Sequence, residues 1–356
     1  MEIGSEFWLD NSDLKNNYKI KENDRNQILF MSGRTAIDYA INLIKEKRKI
    51  QKIYFPSYCC QSMLQPFIEE KIKIEFYDVY LKEGHLVYDI DCNKNCDLFY
   101  AMNYFGYSKY NMDYYINEFR KRNILVLEDS THSWLSNRKY NNNSDLVIAS
   151  LRKWFPIISG GILISNSKEF DLNNIEKVLK VNSFYNYSKE MAMKEKFQFI
   201  NNQNKIPKSQ FLLKFSKANE ILKKDYKNYK IDDKSYIILK EKLDIENIKE
   251  KRKKNVEIIY KYIKECPNIA HFKDIDLEND CQIFVPIFLK NQEKRDKLKK
   301  IFIENQIYCP NHWEIPELIT NEKQREIYNR ELSLICDQRY TIEDIKKYLN
   351  YINLEV

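Results

Sequence analysis

The 356-residue chain is 43% hydrophobic and 14% aromatic, the balance of a folded protein, and its length suits one large domain with a smaller partner. No run reaches the ~18–20 apolar residues of a membrane span, and the opening MEIGSEFWLDNSDLKNNYK lacks a basic start followed by an apolar stretch. Neither a membrane span nor a signal peptide is expected, and the expected compartment is cytoplasmic. The net charge of +7 comes from lysines scattered among Ile and Asn, without the clustered basic and aromatic residues of a nucleic-acid binder, although it would help draw in an anionic small substrate.

Up to about residue 165, short apolar runs alternate with helical patterns, which signals an α/β layered domain. SGRTAIDYAINLIKE, from Ser32, sets Ile37, Ala40, Ile41 and Ile44 on one helix face. Strands are predicted over 52–55, 72–79, 97–102, 123–129, 145–150 and 161–165. From 170 to 235 the sequence is rich in Lys and Asn and shows no clean periodicity. A long helix follows over about 244–265, then a strand over 281–289, a helix over 292–306 and a last helix over 341–352, opened by a cap of Thr341 and Asp344. The expected division is a large domain over 1–240 and a smaller one over 241–356. The eight cysteines show no CxxC spacing and read as reduced thiols; Cys92, Cys96 and His85 could ligate zinc on paper, at a spacing unlike common structural sites, and no metal is expected.

Three clusters carry chemistry, each where a strand ends, the edge at which open α/β sheets bind ligands. In SGRTA (32–36), Gly33 allows a tight turn into a helix whose first N–H groups favour an anion, with Arg34 and Thr35 adding a cation and a hydroxyl; Ser32 or Thr35 could instead simply cap the helix. In LEDSTHS (127–133), Asp129 closes a buried strand and needs a partner such as a protonated ring nitrogen, with His132 in reach; a turn cap and a core histidine are the plainer alternative. In SLRKWFPIISGG (150–161), Lys153 is fenced by Trp154 and Phe155, which would desolvate it and make its neutral amine accessible. A phosphate cradle, an acid and a lysine, in that order, are the minimal parts of a pyridoxal-phosphate site.

With these pieces in place the chain resembles the DegT/DnrJ/EryC1/StrS family of PLP-dependent sugar aminotransferases. The matching fragments are SGRTAI, FPSYCCQSMLQPF, NYFG, EDSTHS, LRKWFPIISGG, IYCPNHWEIP and LSLICDQRYT; four of the six glycines (Gly33, Gly106, Gly160 and Gly161) lie inside them. The resemblance implies fold type I: a mixed, mostly parallel central sheet flanked by helices, with a smaller α+β C-terminal domain. It implies pyridoxal 5'-phosphate as cofactor, linked to Lys153, which also shuttles the proton, with Asp129 holding the ring nitrogen protonated. His132, where the family commonly has Gln, would face the ring hydroxyl. Arg34, Thr35, the backbone at Ala36 and Ser150 would serve the phosphate, Ser150 standing three residues before the lysine rather than the usual five. Either Tyr58 or Cys60 would lie over the ring, and Ser159 replaces the usual Glu before the glycine pair. NYKID (228–232) resembles the segment that reaches the neighbouring subunit's phosphate, so Asn228 and Lys230 are candidates and a homodimer with a composite site is implied. His312 and Trp313 are candidates for contact with the substrate's sugar or base. The implied reaction moves an amino group from an amino acid, glutamate first, to a nucleotide-linked keto-sugar. A PLP-dependent sugar dehydratase, which tends to have His in place of the lysine, and a non-catalytic PLP-binding sensor are the alternatives.

Overall fold

Runs of Ile, Leu, Val and aromatic residues become strands, and apolar residues recurring every three to four positions become helix faces. The structure, a computed structural model, describes residues 2–9, 26–173, 175–202 and 206–352; the stretch read for a signal peptide lies outside them from residue 10 on. In chain order the elements are β1 (Ile3–Gly4), β2 (Gln27–Phe30), α1 (Gly33–Lys47), β3 (Lys52–Pro56), α2 (Gln61–Glu69), β4 (Lys73–Lys82), β5 (His85–Asp89), β6 (Leu98–Met102), α3 (Asp113–Lys121) and β7 (Leu125–Asp129). They continue with β8 (Leu146–Ser150), β9 (Gly161–Ser165), α4 (Ser183–Ile200), α5 (Lys208–Lys224), α6 (Asp233–Ile237), α7 (Ile245–Ile263), β10 (Ala270–His271), β11 (Val285–Phe288) and α8 (Gln292–Glu304). The last are β12 (Ile307–Tyr308), α9 (Glu322–Arg330), β13 (Glu331–Leu334) and α10 (Ile342–Leu349).

Each of the six early strands forms where expected. The strand expected over 281–289 is shorter, Val285–Phe288. Its first residues bond to loops instead: the Cys281 N–H donates to Ser136 Oγ at 3.0 Å and the Ile283 N–H to the Phe105 carbonyl at 3.1 Å.

The described residues fall into two compact units interleaved along the chain: Met1–Ser5, Gln51–Asn143 and Ile245–Val356 in the first, Glu6–Ile50 and Ser144–Asp244 in the second. In the first unit the strands run β7, β6, β3, β4, β5, parallel as far as β4, with β5 antiparallel at the edge. Every residue of β6 and β7 is buried, as parallel strands covered on both faces require. Because β3, β6 and β7 are parallel, their C-terminal ends and following loops share one edge, carrying Ser57–Cys60, Asn103–Gly106 and Asp129–His132. Helices α2, α3 and α9 pack on these strands. The C-terminal part of this unit is α+β, an antiparallel β10–β11–β13 sheet with α7 to α10.

In the second unit β2, β9 and β8 are antiparallel, and α1 crosses them. Ala36, Ile37, Ala40, Ile41 and Ile44 are all buried on its inner face, each isoleucine contributing ~1.5–3 kcal/mol. The segment that showed no clean periodicity contains α4 and α5, packed on each other. Among the described residues no helix is long and apolar enough to cross a membrane.

Candidate functional site

The candidate residues divide between the units. In the second, Ser32 is the N-cap of α1: its hydroxyl accepts the Thr35 N–H at 3.1 Å and lies 2.9 Å from Thr35 Oγ1. Thr35 in turn donates its hydroxyl to the Tyr226 carbonyl at 2.8 Å, and the Ala36 N–H bonds the Ser32 carbonyl at 3.0 Å. The donors expected to bind phosphate at Thr35 and Ala36 are thus engaged in building the cap. Helix geometry leaves the N–H group of Gly33, the first residue of α1, without an intrahelical acceptor. Arg34 turns along the helix surface, donating to the Leu222 carbonyl at 3.1 Å with its guanidinium 5.4 Å from the Tyr226 ring centroid.

Ser150 ends β8 beside this cap, so close that a Cβ on Gly33 would stand 3.0 Å from Ser150 Cβ. A short 3-10 turn, Leu151–Lys153, follows. The Leu151 N–H reaches the Gly160 carbonyl at 3.0 Å, which closes the SLRKWFPIISGG loop on itself. Trp154 and Phe155 are buried, while Lys153 keeps partial exposure. Ser159 lies at the loop's far end, fully buried, donating to Asp232 Oδ2 at 2.5 Å and accepting the Asp232 N–H at 2.9 Å. Ser235 completes this clasp by accepting the N–H groups of Ile158 and Ser159 at 2.9 and 3.1 Å. Asn228, at φ 59°, and Lys230 run beside β2: the Lys230 N–H bonds the Lys180 carbonyl at 2.9 Å and Lys230 bridges to Phe30.

In the first unit Asp129 ends β7, 4% exposed. Its Oδ2 accepts the Tyr100 hydroxyl at 2.8 Å and its Oδ1 the Thr131 N–H at 2.8 Å. Burial, then the Asp129 charge, pushes the Tyr100 hydroxyl well above its ordinary range, so it remains a donor. Sequence reasoning missed Tyr100. It sits in DLFYAM on the adjacent strand, and only the register that sets Met102 opposite Asp129 brings it into reach. His132 is fully buried; its Nδ1 faces the Phe105 N–H at 3.2 Å and so acts as acceptor, which leaves any hydrogen of the neutral ring on Nε2. Its ring stacks on Trp313, with centroids 5.6 Å apart, and meets His312 edge-on.

Tyr58 is enclosed by rings: Tyr104 at 5.5 Å, Trp313 at 5.0 Å and Tyr328 at 4.9 Å. Among the described residues its buried hydroxyl has no hydrogen-bond partner, and burial raises it well above the usual tyrosine range. Cys60 caps α2 without a side-chain cap bond, partly exposed, its Sγ 3.0 Å from Ser62 Oγ. The on-paper zinc set does not form: His85 Nδ1 pairs with Asp274 at 2.7 Å, and among the described residues no three His, Cys, Asp or Glu groups stand where they could hold a metal ion.

The chain has the α/β fold, with a mixed sheet and flanking helices, of solved PLP-dependent aminotransferases of fold type I. PseC of Helicobacter pylori, an aminotransferase involved in the biosynthesis of pseudoaminic acid, superposes with a TM-score of 0.64 at 14% identity over 100% of this chain and 99% of its own. The sugar aminotransferase CalS13 from Micromonospora echinospora gives 0.63 at 10% identity over 93% and 88% of the two chains. NtdA from Bacillus subtilis, solved with bound cofactor PMP, gives a TM-score of 0.56 at 11% identity over 96% and 74%. No protein-family model matches the chain, and no curated protein matches it.

Proposed function

We propose that this chain is a PLP-dependent aminotransferase of the DegT/DnrJ/EryC1/StrS kind, moving an amino group from an amino acid, glutamate first, to a keto-sugar carried on a nucleotide. The observation that carries the proposal is Lys153, placed in the turn after β8 with Trp154 and Phe155 buried beside it, in a fold whose solved examples include sugar aminotransferases and one that holds PMP. The donor set suits that cofactor: a primary amine, a buried carboxylate and a helix N-terminus beside hydroxyls. When bound, pyridoxal phosphate supplies the electron sink that makes a C–H beside the amino nitrogen acidic.

In this reading the Lys153 Nζ takes that proton from the donor's carbon and returns it to the acceptor's carbon. Asp129 keeps a proton on the ring nitrogen, and Tyr100 and the Thr131 N–H hold its carboxylate in orientation. The His132 Nε2–H would serve the ring hydroxyl. The Gly33 N–H and the Ser150 hydroxyl would take the phosphate, with Arg34 adding a cation, while Thr35 and the Ala36 backbone would brace the cap that presents them. Enclosure of Tyr58 on several sides favours Cys60 as the residue over the ring. His312 and Trp313 contact the sugar or base, and Asn228 and Lys230 serve the second copy in a homodimer with a composite site.

Borohydride reduction of the PLP-treated protein, followed by peptide mass mapping, tests the assignment. The cofactor mass is expected on the Lys153 peptide and is expected to vanish in Lys153→Ala. Label spread over surface lysines, or undiminished in that variant, refutes the reading. A panel of nucleotide-linked keto-sugars with glutamate, followed by bleaching and return of the yellow colour, then identifies the acceptor.

A further inference from the structure

Behind His312, the side chains of Glu331 and Ser333, which the chemistry above does not use, complete a line of three in the first unit. Glu331 and Ser333 are alternate residues of β13 and so project from the same face; both are fully buried. His312, 6% exposed, comes from the loop after β12. Ser333 Oγ lies 2.5 Å from Glu331 Oε1 and 2.7 Å from His312 Nδ1, while the His312 backbone N–H donates to Glu331 Oε2 at 2.5 Å.

The Ser333 hydroxyl has one hydrogen and two neighbours, so it donates to one and accepts from the other. With Glu331 ionised, Ser333 donates to the carboxylate and its lone pair receives an Nδ1–H, so the neutral His312 ring has an open lone pair on Nε2. With Glu331 protonated, the carboxyl O–H donates to Ser333, Ser333 donates to Nδ1, and the ring hydrogen moves to Nε2. We propose that Glu331 and Ser333 are positioning residues that decide which nitrogen of His312 carries the hydrogen, so that Nε2 is a donor when Glu331 is protonated and an acceptor when it is ionised.

The surroundings place the change near neutrality or slightly above. Burial raises the Glu331 carboxyl to about 8, opposed by the Ser333 and His312 hydrogen bonds and by Arg295 and Lys299 of α8. Arg295 is itself tied to Asp296 at 2.6 Å and to the Tyr328 carbonyl at 3.1 Å. Tyr58 and Cys309, both sensitive to the Glu331 charge, face it from other elements. Around the imidazole stand Phe105, Phe284, Trp313 and His132, the last the only other titratable ring of the group. The relay stands on side chains of one unit and does not rest on the cofactor reading. Its consequence does: His312 would offer a ligand hydroxyl or carbonyl a donor or an acceptor according to the state of Glu331.

Nitrogen NMR of the full-length protein with labelled histidine, titrated from about pH 6 to about pH 10 without added cofactor, reads the tautomer of each neutral ring. His312→Gln identifies the His312 signals among those of the four histidines. The His312 pattern is expected to pass from Nε2–H to Nδ1–H as Glu331 ionises. Glu331→Gln, whose amide donates to Ser333 at every pH, is expected to stay Nε2–H throughout. Ser333→Ala should abolish the transition and Ser333→Thr, which keeps the hydroxyl, should restore it. A single His312 tautomer across the range in the unaltered protein, or an unchanged transition in Glu331→Gln, overturns the proposal, and the first result needs no variant to fold.

Discussion

At Gly161 one methyl group would be enough to break the loop that carries Lys153. A Cβ there would stand 2.1 Å from the Ser32 carbonyl oxygen and 2.7 Å from the Gly33 nitrogen, both backbone atoms held by the α1 cap. At Gly160 the nearest atom, at 2.5 Å, is Ile157 Cδ1, the far end of a side chain that can rotate away. Gly161→Ala is therefore expected to cost ~3 kcal/mol or more, or to prevent folding, and Gly160→Ala only ~1 kcal/mol, as read from urea melts. A glycine doublet in a glycine-poor chain announces a close approach. What it approaches, the Ser32 carbonyl, lies far away in sequence and could not be read from it. The same holds for Ser159: the residue is plain in the sequence, but its partner Asp232 is found only by the fold.

Helix α4 shows how a regular element can hide in its sequence. Its buried residues are Tyr185, Ser188, Lys189, Ala192, Met193, Glu195 and Lys196, and four of these seven, Ser188, Lys189, Glu195 and Lys196, are polar or charged. A search for apolar periodicity passes over them. The lysines are tolerated because their ammonium groups are met: Lys189 pairs with Glu6 at 2.8 Å with its Nζ 4.8 Å from the Phe215 ring centroid, and Lys196 donates to the Glu6 carbonyl at 2.6 Å with its Nζ 5.6 Å from the Trp8 ring centroid. Helix α10, by contrast, was legible to its cap, because Thr341 and Asp344 form the expected capping box from neighbouring residues alone. Asp232 links the two kinds of case. It caps α6 through the Ser235 N–H and also anchors Ser159. Asp232→Ala is expected to cost ~2–3 kcal/mol, more than a cap alone, and Asp232→Asn about half of that, measured by thermal or urea unfolding.

For the whole molecule, stability against pH is set by groups that the fold displaces in opposite directions. Burial raises Glu331 from 4.5 to about 8, so its neutral form is favoured by folding; that contribution is complete below 4.5 and is lost as pH rises through about 8. Glu75, hydrogen-bonded to Lys73 and Lys94 and further favoured by the Lys94 and Lys52 charges, is lowered from 4.5 to about 2; its contribution is present above 4.5 and is lost as pH falls towards 2. The Glu331 contribution should therefore make the urea midpoint of the unaltered protein decline from about pH 4.5 to about pH 8 and level off above that, by an amount that Glu331→Gln largely removes. An equal decline over that range in both proteins would assign it to other groups.

Taken by itself, the sequence determined the α/β class, the six early strands, helix α1 and the last helix with its cap, since each depends on neighbours within a few residues. It also marked Asp129 as a buried acid and Lys153 as a lysine followed by Trp154 and Phe155. The tertiary structure alone decided which tyrosine steadies Asp129, that Thr35 and Ala36 spend their donors on the cap, that Tyr58 is walled in, and that Glu331, Ser333 and His312 form a line. Those outcomes turn on strand register and on chain segments meeting across many tens of residues. Local spacing cannot encode them, because a hydrogen bond needs its partner within about 3 Å and nothing in a residue's sequence neighbourhood names the distant segment that will supply it.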